Sequence, residues 1–226
     1  MRAALVTGGS SGIGLAIARM LREEGYDLTL ASRTAEKLEA VANELDAHAI
    51  AANVADDAEC ERIVREHRER RGRLDVLVNS AGVGIAGRTE DLPTKRWDLQ
   101  FAVNLRAAFV VTREAIPLLR ESNGTVVNLA SIAGTIPTPG LVGYGAAKAG
   151  MISLTHTLNR ELEDDGIRVC AICPGFVDTP MAEWTGIPSD EMIQPEDCAE
   201  VVRMLLRLSP KARVPQVVIE RLGERP

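Results

Sequence analysis

Two side chains capable of proton chemistry share the stretch "LVGYGAAKAGMISL", residues 141–154: Tyr144 and Lys148, four positions apart in a run otherwise rich in Gly and Ala. On a helix, side chains at i and i+4 lie on one face. A free phenol ionises near pH 10, too high for ready proton exchange at neutrality. An ammonium about 4 Å away at an effective dielectric of ~20 contributes roughly 4 kcal/mol, which lowers that value by about three units. The pair is therefore expected to give a phenol poised near physiological pH, acid in one direction and base in the other.

A second chemical signal lies at the other end of the chain. The loop "TGGSSGIG" follows an apolar run and opens a helical pattern. Glycine lets backbone approach a ligand closely, and a helix start offers free N–H groups and a positive dipole end, which suits a dinucleotide pyrophosphate. Gly8, Ser10, Ser11, Gly12, Ile13 and Gly14 are the candidate contacts. Their spacing, G-x-x-x-G-x-G, departs from the G-x-G-x-x-G fingerprint. Cofactor choice is expected at the end of the second strand, where a carboxylate would favour a ribose hydroxyl. Ser32 and Arg33 stand there instead. An Arg–phosphate bond is worth roughly 1.5–3 kcal/mol, so NADP(H) is the expected cofactor, with NAD(H) as the alternative.

The elements that must position these groups read as alternating strands and helices, the pattern of a parallel sheet covered on both faces. Strands are expected at residues 3–7, 28–31, 47–52, in "RLDVLVNSAG", in "GTVVNLAS", in "IRVCAICPG" and in "PQVVIE". Helices are expected from about 13 to 24, 34 to 45, 57 to 70 and 94 to 120, then 143 to 164 and 195 to 208. The fourth of these should break near Asn104 and be disturbed at Pro117. "DDAE" reads as a capping box with Asp56 as N-cap and Glu59 as its partner. Residues 176–194 are the one long irregular stretch, so a lid is placed at about 178–195. No linker or repeat divides the chain, and residues 1–226 are taken as one α/β domain.

Several motifs in order, "TGGSSGIG", "NSAG", Asn104 in "FAVNL", Ser131 in "VVNLAS", "YGAAK" and "PGFVDT", resemble those of the short-chain dehydrogenase/reductase family over nearly the whole chain. The resemblance implies a Rossmann-like, doubly wound sheet of about seven strands and a catalytic set of Asn104, Ser131, Tyr144 and Lys148. In that scheme Tyr144 moves a proton to or from substrate oxygen, and Ser131 holds the same oxygen. Lys148 also binds nicotinamide ribose, and Asn104 keeps a water-connected proton path. It implies further cofactor contacts from Asn53, Val54, Asn79, Ala81, Gly82, Pro174, Gly175, Val177 and Thr179. Asn53 stands where the family often has an adenine-contacting Asp. The lid is short for the family, and the Gly-Gly often found near the C-terminus is missing, which counts against a homotetramer relative to a homodimer.

Bulk composition narrows the function. A net charge of −6 repels nucleic acid, and no run approaches the ~18 apolar residues of a membrane span, so a soluble, cytoplasmic enzyme is expected. "CAIC" invites a redox or metal reading, but Cys170 and Cys173 sit three apart on a strand and face opposite sides. No metal site is expected, and His48, His67 and His156 are read as structural. Trp97 is assigned to core or interface. Val83, Ala133, Ile136, Met181 and Trp184 would make a mainly apolar pocket for a small carbonyl or alcohol. The alternatives are a dinucleotide sensor without turnover and a nucleotide-sugar epimerase or dehydratase, which would need a larger substrate domain.

Overall fold

The computed structural model describes residues 1–223. The C-terminal segment read for its missing Gly-Gly is therefore seen only in part, its last three residues lying outside the described ones. Seven strands form one sheet: β1 (Ala3–Thr7), β2 (Asp27–Ser32), β3 (His48–Ala51), β4 (Val76–Asn79), β5 (Thr125–Leu129), β6 (Arg168–Pro174) and β7 (Gln216–Ile219). All pairings are parallel and the order is β3-β2-β1-β4-β5-β6-β7. Successive strands are added toward one edge of the sheet from β1 to β3 and toward the other from β4 to β7, so the strand order reverses between β1 and β4. Loops leaving those strands at their carboxyl ends diverge there and open a crevice, the usual ligand position in open α/β sheets.

Alternate strand residues feed two cores. Ala4 and Val6 of β1 pack with α1 (Gly12–Glu23), α2 (Ala35–Leu45) and α7 (Pro195–Arg207). Leu5 instead packs with α3 (Asp57–Arg71), α5 (Ala107–Ser122) and α6 (Val142–Glu161). The same alternation sends Cys170 into the first core and Cys173 to the opposite face, near Met151 of α6. The interior is built mainly from Ala, Val, Leu and Ile. No helix among the described residues is long and apolar enough to cross a membrane.

Helix boundaries show where local signals held. The expected break at Asn104 is a π-helical segment, Ala102–Arg106, between α4 (Thr94–Phe101) and α5. Pro117 lies inside α5, which runs through it; the disturbance expected there amounts to the loss of one backbone donor. The box at Asp56 is only half formed. Asp56 accepts from the Ala58 N–H at 3.0 Å, but its own N–H goes to the Asn53 carbonyl, and Glu59 pairs with Arg62 at 2.7 Å. A nearby guanidinium outcompetes a backbone N–H for that carboxylate. A complete box closes α7 instead, where Asp197 accepts from the Gln194 N–H at 2.9 Å.

One buried polar link joins the layers. His67 of α3, fully buried, donates from Nε2 to the Arg73 carbonyl and accepts at Nδ1 from the Thr29 hydroxyl of β2, both at 2.9 Å. Burial pushes its pKa down to about 4, so the folded chain holds it neutral. Between pH 6.5 and 4 the unfolded chain takes up a proton that the native state refuses, so stability must fall as the solution is acidified through that window. Urea unfolding at a series of pH values should show up to roughly 3 kcal/mol lost in this range by the native sequence. In His67→Gln that contribution should be absent, and parallel pH curves for the two proteins would exclude it.

Candidate active site

Strand β1 delivers the chain into the glycine loop at the crevice. Gly12, with φ of +51°, occupies the left-handed region that side-chain-bearing residues avoid. A Cβ on Gly14 would lie 2.3 Å from the Gly8 carbonyl oxygen, so helix and turn are in backbone contact there. Ser11, in extended conformation at the N-cap of α1, makes no side-chain capping bond. The first N–H groups of α1 thus lack the usual internal acceptor, and they fit a pyrophosphate. Ile13 packs beside Val177 and Ile193 and fixes the helix start against the lid base.

At the edge of β2 the Ser32 and Ser10 hydroxyls are 2.7 Å apart and hydrogen-bonded. Arg33 beside them is exposed and makes no hydrogen bond or ion pair among the described residues. At the end of β3 the Asn53 side chain turns back on its own loop, where Oδ1 accepts from the Ala55 N–H at 3.3 Å, and Val54 is buried. Asn53 therefore offers an adenine ring less acceptor capacity than expected of it.

Asn79 at the end of β4 faces inward. Its Nδ2 donates to Asn128 Oδ1 at 2.8 Å and to Thr112 Oγ1 at 3.1 Å, and Asn128 donates to Thr155 Oγ1 at 2.9 Å. This chain ties β4 and β5 to α5 and α6, and among the described residues it leaves the buried Asn79 Oδ1 without a partner. Sequence reasoning missed the partners Thr112, Asn128 and Thr155, whose polar side chains inside apolar periodic runs were the only sign. Ala81 and Gly82 follow; the Ala81 N–H points to Thr7 Oγ1 at 3.4 Å. Asn104, fully buried in the π segment, clamps the next residue twice: its Oδ1 accepts from the Val83 N–H and its Nδ2 donates to the Val83 carbonyl, both at 2.8 Å.

The catalytic candidates converge at the carboxyl ends of β5 and β6. Ser131 caps a 3₁₀ turn, Ile132–Gly134, accepting from the Ala133 N–H at 3.2 Å, which leaves its hydroxyl hydrogen for another acceptor. Tyr144 and Lys148 occupy the first two turns of α6. The Tyr144 hydroxyl is within hydrogen-bonding reach of Ser131. Lys148 is buried, with Nζ donating to the Leu129 carbonyl at the end of β5 at 2.5 Å and lying 5.6 Å from the centre of the Tyr144 ring.

The electrostatics correct the sequence expectation. Burial pushes the Tyr144 phenol above its ordinary value, with the Ser131 hydrogen bond acting the other way. Burial also lowers the Lys148 ammonium to about 8, offset in part by the nearby Cys173 thiolate form. The i,i+4 argument counted the attraction and omitted the desolvation of both partners, which is the larger effect here. In the resting chain Tyr144 is a protonated phenol at neutral pH.

The lid closes the crevice from the β6 side. Gly175 donates its N–H to the Ile219 carbonyl just beyond Pro174, and Val177 and Ile193 bridge as parallel partners. Asp178 accepts from Ser189, so residues 178–193 form a loop tied at its own base. Thr179 reaches the glycine loop; a Cβ on Gly12 would lie 2.9 Å from its Cγ2. Met181 lies over Gly82 and Gly84. Of the other lining candidates, Val83 and Ile136 are half-buried beside the site, and Ala133 is buried. Trp184 is 62% exposed on a 3₁₀ turn. Trp97 stacks on Phe101 at 4.8 Å and walls a cavity of about 290 Å³ with Thr89, Leu92, Thr94 and Val142.

With this geometry in hand, the comparisons are decisive for the family. A family model for short chain dehydrogenases matches residues 2–187. The chain belongs to the short-chain dehydrogenase/reductase family. It is 34% identical over 221 residues to an uncharacterized oxidoreductase of Staphylococcus epidermidis, covering 96% of each chain. It is 40% identical over 198 residues to a 3-oxoacyl-(acyl-carrier-protein) reductase of Staphylococcus aureus, covering 84% of this chain and 79% of that one. Among solved structures, an alcohol dehydrogenase of the archaeon Thermococcus sibiricus, complexed with 5-hydroxy-NADP, superimposes with a TM-score of 0.93 at 30% identity, covering 100% and 99% of the two chains. A 3-ketoacyl-(acyl-carrier-protein) reductase of Brucella melitensis complexed with NADH gives 0.88 at 28% identity, covering 97% and 96%. The protein is an oxidoreductase of this family.

The Gly14 contact gives a direct test of the loop. In Gly14→Ala the added methyl meets backbone that cannot give way, so urea unfolding should show a loss at the upper end of about 1–3 kcal/mol. Dinucleotide affinity measured by fluorescence titration should fall with it. Unchanged stability would show that α1 and the turn are not in backbone contact.

Proposed function

We propose that this protein interconverts an alcohol and a neutral, mainly apolar ketone or aldehyde, with NADP(H) as the preferred cofactor. The observation that carries this reading is the shared corner of Ser131, Tyr144 and Lys148 beside the glycine-loop crevice. When bound, the nicotinamide supplies or accepts the hydride. The protein supplies the proton and the alignment. In reduction Tyr144 donates its phenolic proton to the carbonyl oxygen as the C–O bond gains negative charge, and the Ser131 hydroxyl donates a hydrogen bond to that oxygen. The phenolate left behind lies near the Lys148 ammonium. A phenol kept protonated by its burial favours this direction in the resting chain, and the reverse sequence oxidises the alcohol. Lys148 and Tyr144 would hold the ribose beside the nicotinamide, and the first turn of α1 the pyrophosphate. Ser32 with Arg33 would hold a 2′-phosphate.

The preference for NADP(H) rests on Arg33, an exposed guanidinium with no partner among the described residues, beside the bonded Ser10–Ser32 hydroxyls. It is in keeping with the 5-hydroxy-NADP in the archaeal neighbour. The substrate class rests on the lid: residues 178–195 carry Asp178, Glu183, Asp190 and Glu191, and no Lys or Arg. Such a rim repels anionic substrates, so a neutral carbonyl fits better than a phosphorylated one. A soluble, cytoplasmic homo-oligomer is part of the same reading, Leu99 and Phe109 being exposed apolar groups on α4 and α5.

Tyr144→Phe should lower turnover of a carbonyl substrate by about 10²–10⁴-fold, the usual contribution of a positioned acid, while NADPH binding by fluorescence titration stays within a few-fold. Turnover close to that of the native chain would remove Tyr144 from the mechanism. No turnover by the native chain across ketones and aldehydes, with NADPH bound, would favour the sensor alternative. Separately, Arg33→Asp should cost roughly 10–150-fold in NADPH affinity and leave NADH little changed. Equal effects on the two cofactors would locate the discrimination elsewhere.

A further inference from the structure

Gln100 is fully buried on α4, yet half of its amide has no partner. Its Oε1 accepts from the Ile85 N–H at 3.1 Å, and its Nε2 is bonded to nothing among the described residues. The orientation is fixed by chemistry, since Ile85 presents a donor and only the amide oxygen can face it. A buried, unsatisfied donor is a stability penalty, so packing does not explain a glutamine here. Its one hydrogen bond does.

That bond holds a specific piece of backbone. Residues 82–87 form a strap that runs from the crevice across the catalytic corner to the start of α6. A Cβ on Gly82 would lie 3.8 Å from Lys148 Nζ, and one on Gly84 would lie 4.0 Å from Tyr144 Cδ2. The far end is pinned where the Gly87 N–H donates to the Gly140 carbonyl at 2.9 Å and Gly87 bridges Leu141. Asn104 clamps the near end at Val83. Between these pins, among the described residues, only Gln100, one turn before Asn104, holds the strap by a side chain. Gln100 also touches the catalytic helix: a Cβ on Gly143, the residue before Tyr144, would lie 2.5 Å from its Nε2.

We propose that Gln100 is a positioning residue, whose amide oxygen sets the height of the 82–87 strap over Tyr144 and so the space in which a carbonyl substrate seats. This inference rests on the oxidoreductase reading for its effect on turnover, but not for its effect on the strap. A strap released at Ile85 gains freedom beside Tyr144, and misplacement on the scale of 1 Å near a reacting group can reduce rates by up to about 100-fold.

The test pairs hydrogen exchange with kinetics on Gln100→Met, which keeps length and burial but removes the acceptor. Exchange at the amides of residues 83–87, read by mass spectrometry on the NADPH-bound and free protein, should quicken by about tenfold or more. kcat/KM for a carbonyl substrate should fall about 10–100-fold, mainly through KM, with the Kd for NADPH within twofold and no drop in Tm. Gln100→Glu retains the acceptor and should restore the slow exchange and most of the lost kcat/KM. If Gln100→Met does not fold, Ile85→Pro removes the donor from the other side of the bond and should raise KM and exchange at residues 84, 86 and 87 in the same way. Unchanged exchange in the strap, or a loss of activity that only follows Tm, would overturn the proposal. Faster exchange in a protein that reduces no carbonyl would uphold Gln100 as the holder of the strap and count against the enzymatic reading instead.

Discussion

A lysine ammonium buried against a backbone carbonyl is the constraint around which the catalytic corner is arranged. Lys148 donates to Leu129 at the exit of β5, and burial lowers its pKa to about 8. Taking a charge out of water is expensive unless it is hydrogen-bonded. The end of a parallel strand is one of the few buried places that leaves a carbonyl oxygen free for it. That requirement ties α6 to β5, and Tyr144, one turn earlier, is carried into place beside Ser131.

Around that fixed point the molecule uses amide side chains as struts. Asn79 and Asn128 bridge strands to helices beneath the site, and Asn104 and Gln100 hold the strap above it. An amide can accept from one backbone group and donate to another without carrying charge into the interior. This lets irregular backbone at the corner be held rigid without adding a charged side chain there.

The fold was legible because its signals are local and repeated. Val, Leu and Ile runs bounded by Gly and Asn marked β1, β4, β5 and β6, and the polar break at Asn104 marked the π segment. The family was legible through ordered motifs spread over the chain. Less was readable where nearby groups compete for one partner, or where the partner comes from a distant element. Asp56 and Glu59 satisfied a capping pattern, but Arg62 took the carboxylate. Gln194 and Asp197 formed a box that the Ser/Thr–Glu pattern does not describe. Gln100, one residue in a stripe with Trp97 and Phe101, gave no sign that its oxygen meets Ile85.

The sequence by itself determined the alternation of strand and helix, the glycine turn where α1 begins, and which side chains are candidates for proton chemistry, since these depend on backbone propensity and on residues within a few positions of one another. Only the tertiary structure decided the charge states and alignments. Whether Tyr144 loses or keeps its proton depends on how much water the folded chain removes from it and on where Lys148 points. Desolvation is a property of everything packed around a group, and no spacing of two residues contains it.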